Sequence, residues 1–291
     1  MSEQPQQGTM PTAARKMQLP LPGGLSVTVP QLLLASGIVV YAFAVPGDFK
    51  YKLDALGFAV CHQIHTHSIT LAGHQLPLCA RCTGIYLGAI IGLALLTRLR
   101  SRSIKLPARS LFPFLGLFFA AMVLDGTNSI MQTLGSGFWE TTNLTRLVTG
   151  GLSGLAVAFV FYPIFNMSAW HRNSARLQSV LARPIELLPY LVPTALLLTL
   201  VFSRADWLLY PISILSIGGM LALLTMSCTV FVLIATRREG KARSAADLVT
   251  PILIGIAITL IMLTLLSLGR ASLAPYMADN PLGVPLVPGL P

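Results

Sequence analysis

Between positions 61 and 82 the chain reads CHQIHTHSITLAGHQLPLCARC, which gathers three of its four cysteines and four of its five histidines into 22 residues. Thiolates and imidazoles are the ligands that borderline-soft metal ions prefer, and paired thiols also carry out redox exchange. Cys79 and Cys82 form a Cys-x-x-Cys at the start of a predicted helix, with Pro77 stopping whatever precedes it. Two thiols at i and i+3 can close on one ion, and a helix N-terminus favours the thiolate. Completed by Cys61 or His62, and by a further histidine from His65, His67 or His74, the pair supplies the tetrahedral nitrogen and sulfur set that suits zinc. Adjacent Cys61 and His62 seldom ligate one ion together, so three ligands with an open position is as good a reading as a closed site. A lone Cys-x-x-Cys is half of the strong zinc signature. The competing chemistry is a Cys79–Cys82 or Cys61–Cys79 disulfide, or a membrane thiol–disulfide oxidoreductase using Cys79 and Cys82.

A second constellation follows. In LDGTNSI, Asp125 and Asn128 stand three apart on one face of a predicted span, and in TRLVTG, Arg146 and Thr149 fall in the first turn of the next. Carboxylates within spans face the bundle interior and find a partner, and Arg146 is the nearest candidate for Asp125. These four residues form an expected intramembrane polar network. Asp125 and Arg146 are the catalytic candidates. Should a metal activate water, Asp125 or Glu140 is the acid available as a general base. Cys228, alone among LALLTMSCTVF, reads as a small core residue, and His171 beside Trp170 as an interface anchor. The sequence has no phosphate-binding glycine loop, no H-E-x-x-H and no G-x-S-x-G.

The elements that must position these groups are apolar helices. Of 291 residues, 54% are hydrophobic and 10% charged, which excludes a soluble globule and predicts an all-α, polytopic, multi-pass bundle in the cell membrane with the lipid bilayer as its partner. The net charge of +10 comes from short basic blocks between apolar runs, as in cytoplasmic loops, rather than from a nucleic-acid-binding surface. Seven spans are predicted over 27–45, 82–97, 110–130, 146–165, 185–203, 207–235 and 249–269, the sixth with a tilt or break near Gly218 and Gly219. The domain plan is a disordered cytoplasmic tail over 1–26, a transmembrane domain over 27–270 and a Pro-rich extracytoplasmic tail over 271–291, with the first span as an uncleaved anchor. The excess of Lys and Arg in alternate connections predicts a cytoplasmic N-terminus and puts the Cys/His cluster on the extracytoplasmic side. Gly84, Gly88 and Gly92 in the second span, and Gly150, Gly154 and Ala158 in the fourth, repeat small residues every four positions, which predicts that these helices are direct neighbours.

CHQ at 61–63, Ser68, Gly73, LPLCARCTGIYLG, DGTNS and TRLVTGGLSG together resemble a family of predicted bacterial membrane proteins that is classed as a domain of unknown function and known by its CHQ and CARCTG motifs. The resemblance covers about residues 55–165 and falls on Cys61, His62, Gln63, Cys79, Arg81, Cys82, Gly84, Tyr86, Asp125, Asn128 and Arg146. His67 stands where that family usually has arginine, so no fixed positive charge is expected there. The resemblance implies a shared site and assigns no activity. The functional expectation is an integral membrane protein with a zinc-like Cys/His site. The oxidoreductase is the alternative, and a transporter component lining its path with Asp125, Asn128 and Arg146 is the third reading.

Overall fold

The computed structural model describes residues 18–20, 26–28 and 47–278. Within the N-terminal stretch, β1 (Gln18–Pro20) and β2 (Ser26–Thr28) pair antiparallel. The rest of the expected tail, nearly all of the expected first span and the Pro-rich end from 279 lie outside the described residues.

Among the described residues, seven α-helices follow: α1 (Phe49–Phe58), α2 (Ala80–Leu99), α3 (Phe112–Thr133), α4 (Asn143–Ala169), α5 (Leu188–Phe202), α6 (Leu209–Ala235) and α7 (Ala246–Ala278). Among the described residues, six helical segments are long and apolar enough to cross a membrane. In lipid a helix satisfies its own backbone, so uninterrupted apolar runs become spans and the start signals set their ends. Asp48 caps α1 by accepting from the Tyr51 N–H at 2.8 Å. Cys79 caps α2, and a Thr142/Thr145 capping box opens α4.

The second and fourth predicted spans are neighbours, as their small-residue repeats imply. A Cβ on Gly88 would lie 2.1 Å from the Gly151 carbonyl oxygen, and one on Gly154 would lie 2.0 Å from that of Ile85. Helices α2 and α4 therefore touch backbone to backbone. The expected break in the sixth span is absent. Helix α6 runs unbroken through Gly218 and Gly219, because Gly219 serves close packing, with the Tyr86 carbonyl where its Cβ would be.

The connections sort to two ends. At one end, β5 (Ser103–Lys105) pairs in parallel with β6 (Arg176–Ser179), and the His171 N–H donates to the Ala242 carbonyl at 2.8 Å. This joins the α2–α3, α4–α5 and α6–α7 connections, where most of the basic residues lie. At the opposite end, α1 and the 59–79 loop rest on the bundle. Asn143 Nδ2 donates to the Ser68 carbonyl at 3.0 Å, and the Ala72 N–H donates to Asp206 Oδ1 at 3.0 Å.

Candidate metal centre

Two chain segments bring the thiols together from different directions. Cys79 and Cys82 arrive on the first turn of α2. Cys61 arrives from the turn that ends α1, and its packing depends on Gly57, where a Cβ would lie 2.1 Å from the Pro77 carbonyl oxygen. Gln63 locks the approach. Its backbone takes a left-handed φ of 51°, and its Nε2 donates to the carbonyls of Asp54 and Pro77 at 2.8 and 2.7 Å. Gln75 closes the loop above by donating to the Gln63 carbonyl at 2.8 Å and to Ser68 Oγ at 3.0 Å.

The sulfur atoms of Cys61, Cys79 and Cys82 all lie within 4.8 Å of one another. Cys61 and Cys79 are each 2% exposed, and all four cysteines are free thiols. Backbone N–H groups already point at the sulfurs. That of Cys79 donates to Cys61 Sγ at 3.2 Å, and that of Cys82 donates to Cys79 Sγ at 3.5 Å. Such donors favour negative charge on sulfur. Hydrogen bonds from the Cys79 and Cys82 thiols hold the Cys61 thiol well below its usual range, whereas the same contact with Cys61 pushes Cys79 up.

No histidine nitrogen joins the group at that distance. His62 is adjacent to Cys61, with Nδ1 accepting from the Ile64 N–H at 3.2 Å, and its ring meets that of His67 edge-on at 5.7 Å between centroids. Burial, followed by the charge of Arg146, pushes His67 down to about 4, so its ring is neutral near pH 7, and partial desolvation lowers His62 in the same direction. His65 and His67 lie on a 3-10 turn, and His74 is exposed on the hairpin of β3 (Thr70–Leu71) and β4 (His74–Gln75), away from the thiols.

The polar residues of α3 and α4 divide differently from the expectation. Asp125 pairs with Arg81 rather than with Arg146. Both Nε, at 3.0 Å, and Nη2 of Arg81 donate to Asp125 Oδ2. Arg81 projects from the first turn of α2 and reaches the carboxylate first, while Arg146 donates to Asn143 Oδ1 and Ser129 Oγ, each at 3.0 Å. Asn128 takes no part in this pair. It binds the 135–141 loop, donating to the Trp139 carbonyl at 2.7 Å and accepting from the Phe138 N–H at 2.8 Å. Thr149 hydrogen-bonds the Thr145 carbonyl of its own helix, and Glu140 is exposed.

Sequence reasoning missed Arg270. Its Nη1 donates to the carbonyls of Phe58 and Cys61, the second at 2.6 Å. The only signal was one arginine closing an apolar span.

The model of the family described as "Predicted membrane protein (DUF2085)" matches residues 61–160, from the first thiol to the middle of α4. An uncharacterized protein of Methanocaldococcus jannaschii is 32% identical over 114 residues, covering 39% of this chain and 68% of that protein. The chain belongs to this family. An uncharacterized protein of Methanothermobacter thermautotrophicus is 30% identical over 99 residues, covering 34% of the chain and 81% of that protein. No solved structure matches. The family stretch contains all three clustered thiols, Arg81, Asp125 and Arg146, whereas α1 and α5–α7 lie outside it.

Proposed function

We propose that this membrane protein holds a transition metal, zinc-like in its preferences, on Cys61, Cys79 and Cys82 at the end of the bundle opposite its basic loops. The observation that carries this reading is the approach of three sulfurs to within 4.8 Å of one another. Zn–S bonds of about 2.3 Å in a tetrahedron place sulfurs roughly 3.8 Å apart, so small side-chain rotations suffice to close the set. N–H donors to two of the sulfurs would stabilise bound thiolates. The remaining position is left open to water or to a more distant ligand. With basic connections cytoplasmic, this end faces outward across the cell membrane.

The arrangement favours a metal that holds the 59–79 loop to the bundle over one that runs hydrolysis. The acid nearest in the network, Asp125, has Oδ2 engaged by Arg81 and Oδ1 sealed from solvent, so it is badly placed to take a proton from a metal-bound water.

Elemental analysis of the purified protein, with a thiol count before and after chelation, tests the reading. We expect about one equivalent of metal per chain, and its loss in Cys61→Ser or Cys79→Ser. Less than half an equivalent in wild type after growth with zinc would sink it, as would a stable disulfide among the three.

A further inference from the structure

Helix α7 lies on the outside of the bundle and shows most of its side chains to lipid, but one stripe turns inward. Leu263, Ser267 and Arg270 follow the i, i+4, i+7 spacing of a single helix face. Leu263 is buried in the same apolar cluster as Leu53, Cys61 and Cys79. Ser267 Oγ donates to the Ala55 carbonyl at 3.5 Å. Arg270 donates through one nitrogen to the carbonyls of Phe58 and Cys61, and its guanidinium carbon stands 4.4 Å from the centroid of the Phe58 ring. The hydrogen bonds of Ser267 and Arg270 all fall on α1 or on the turn that carries the first thiol.

The chemistry explains why an arginine is used. Carbonyls past a helix end have no intrahelical partner, and at the edge of a membrane protein they need a donor. A guanidinium offers several in one plane, and its face can lie on an aromatic ring at the same time. It also brings a fixed positive charge next to a centre that is negative when filled, since three thiolates around a divalent ion leave one negative charge over. Arg81 is not free for this purpose, because Asp125 neutralises it.

We propose that Arg270 is a positioning residue of the thiol centre, holding Cys61 in ligating position, so that metal binding and the docking of α7 stabilise each other. The coupling to metal rests on the reading above, whereas the anchoring of the Cys61 turn does not. Such coupling is reciprocal: a helix that organises the ligand is itself held more firmly once the ligand is bound. It would tie a helix more than 100 residues downstream of the first thiol to a site whose other members all lie in the family-matched stretch.

The test compares Arg270→Gln, Arg270→Lys and, as a control on the opposite face of α7, Leu265→Ala, all in the full chain in detergent or nanodiscs. Zinc affinity is read by chelator competition. Outer partners of metal ligands are worth about 10–100-fold in affinity. Arg270→Gln should lose that much and Arg270→Lys less, because an ammonium keeps the charge but not the planar fork, while Leu265→Ala stays near wild type. In chelated protein, hydrogen exchange over residues 57–63 and alkylation of Cys61 should accelerate in Arg270→Gln, with Cys228 unchanged. Zinc should slow exchange around residues 262–272 of wild type. Wild-type affinity and wild-type exchange in both Arg270 variants would overturn the proposal. If wild type binds no zinc, the metal reading fails alone, and exchange at 57–63 in the metal-free variants still decides whether Arg270 anchors the turn.

Discussion

Replacing Asp125 by Asn keeps the shape of the side chain and removes its charge, which isolates the Arg81–Asp125 pair. The pair is nearly dry, with 5% of the aspartate side chain and 17% of the arginine side chain exposed. Breaking such a pair from one side costs about 3–5 kcal/mol, mainly because the surviving charge is stranded. Arg81 keeps enough exposure to turn partly towards water, so the lower end, about 3 kcal/mol, is the expected loss. Removing both charges strands nothing. The Arg81→Gln, Asp125→Asn double variant should therefore cost about 1–2 kcal/mol, less than Asp125→Asn alone. Reversible unfolding in mixed micelles, by steric trapping or denaturing-detergent titration, measures all the corners of the cycle. An Asp125→Asn cost below about 1 kcal/mol, or a double variant equal to the sum of the singles, would show that the Arg81–Asp125 pair does not couple α2 to α3.

Two further perturbations address other parts of the fold. Gly88→Leu puts a branched side chain where even a Cβ would lie 2.1 Å from the Gly151 carbonyl oxygen, so α2 and α4 must separate. The expected result is a loss of at least about 3 kcal/mol and a sharp fall in folded yield, read by the same unfolding assay, whereas Gly116→Leu, with nothing near its Cβ, should be tolerated. His67 contributes acid sensitivity. Its folded-state value of about 4 lies below the ordinary 6.5, so between those values the unfolded chain binds the proton that the folded chain refuses, and stability falls as pH drops through that window. His67→Gln should flatten the stability profile there and leave it unchanged above pH 7, and an unaltered slope would remove His67 as the source.

Six of the seven expected spans and the α2–α4 contact were legible because they depend on properties that act locally. An apolar run long enough to cross lipid has to be a helix, and glycines at every fourth position leave a face that only another backbone fills. Cys79 and Cys82 were legible for a similar reason, since their spacing fixes their relation on one turn. The pairing of Asp125 was not. Arg81 and Arg146 have the same charge at similar depth, and only the direction in which each leaves its helix decides which reaches the carboxylate. The histidines were harder still. Their positions follow from a 3-10 turn over His65–His67 and a hairpin whose Ala72 and Gly73 both take positive φ, at 48° and 76°, and density in sequence says nothing about which way such turns aim a ring.

The α2 side of the centre is held by backbone packing and the Cys61 side by side-chain donors, and this bears on what the centre can do. The start of α2 is fixed against α4 through glycines that admit no Cβ, with the Arg81 carbonyl itself seated where a Cβ on Gly150 would be. Asn143, at the start of α4, then grips the 59–79 loop through its Ser68 carbonyl, and Gln63 joins that loop to Pro77, two residues before Cys79. The backbone packing of α2 on α4 has no rotamers to exchange, so the Cys79–Cys82 side of the site has little freedom to open. If the thiols bind metal, Cys61 would be the adjustable ligand, because it reaches the group through a turn held by the side chains of Gln63 and Arg270. A site with two fixed thiols and one on a tether can gain or lose its third ligand without repacking the bundle, so any exchange of metal should proceed through Cys61. Chelator-driven release should therefore be faster in variants that free its turn than in variants that disturb Cys82. Equal acceleration by Gln63→Ala and by a Cys82→Ser variant that still binds metal would contradict that order.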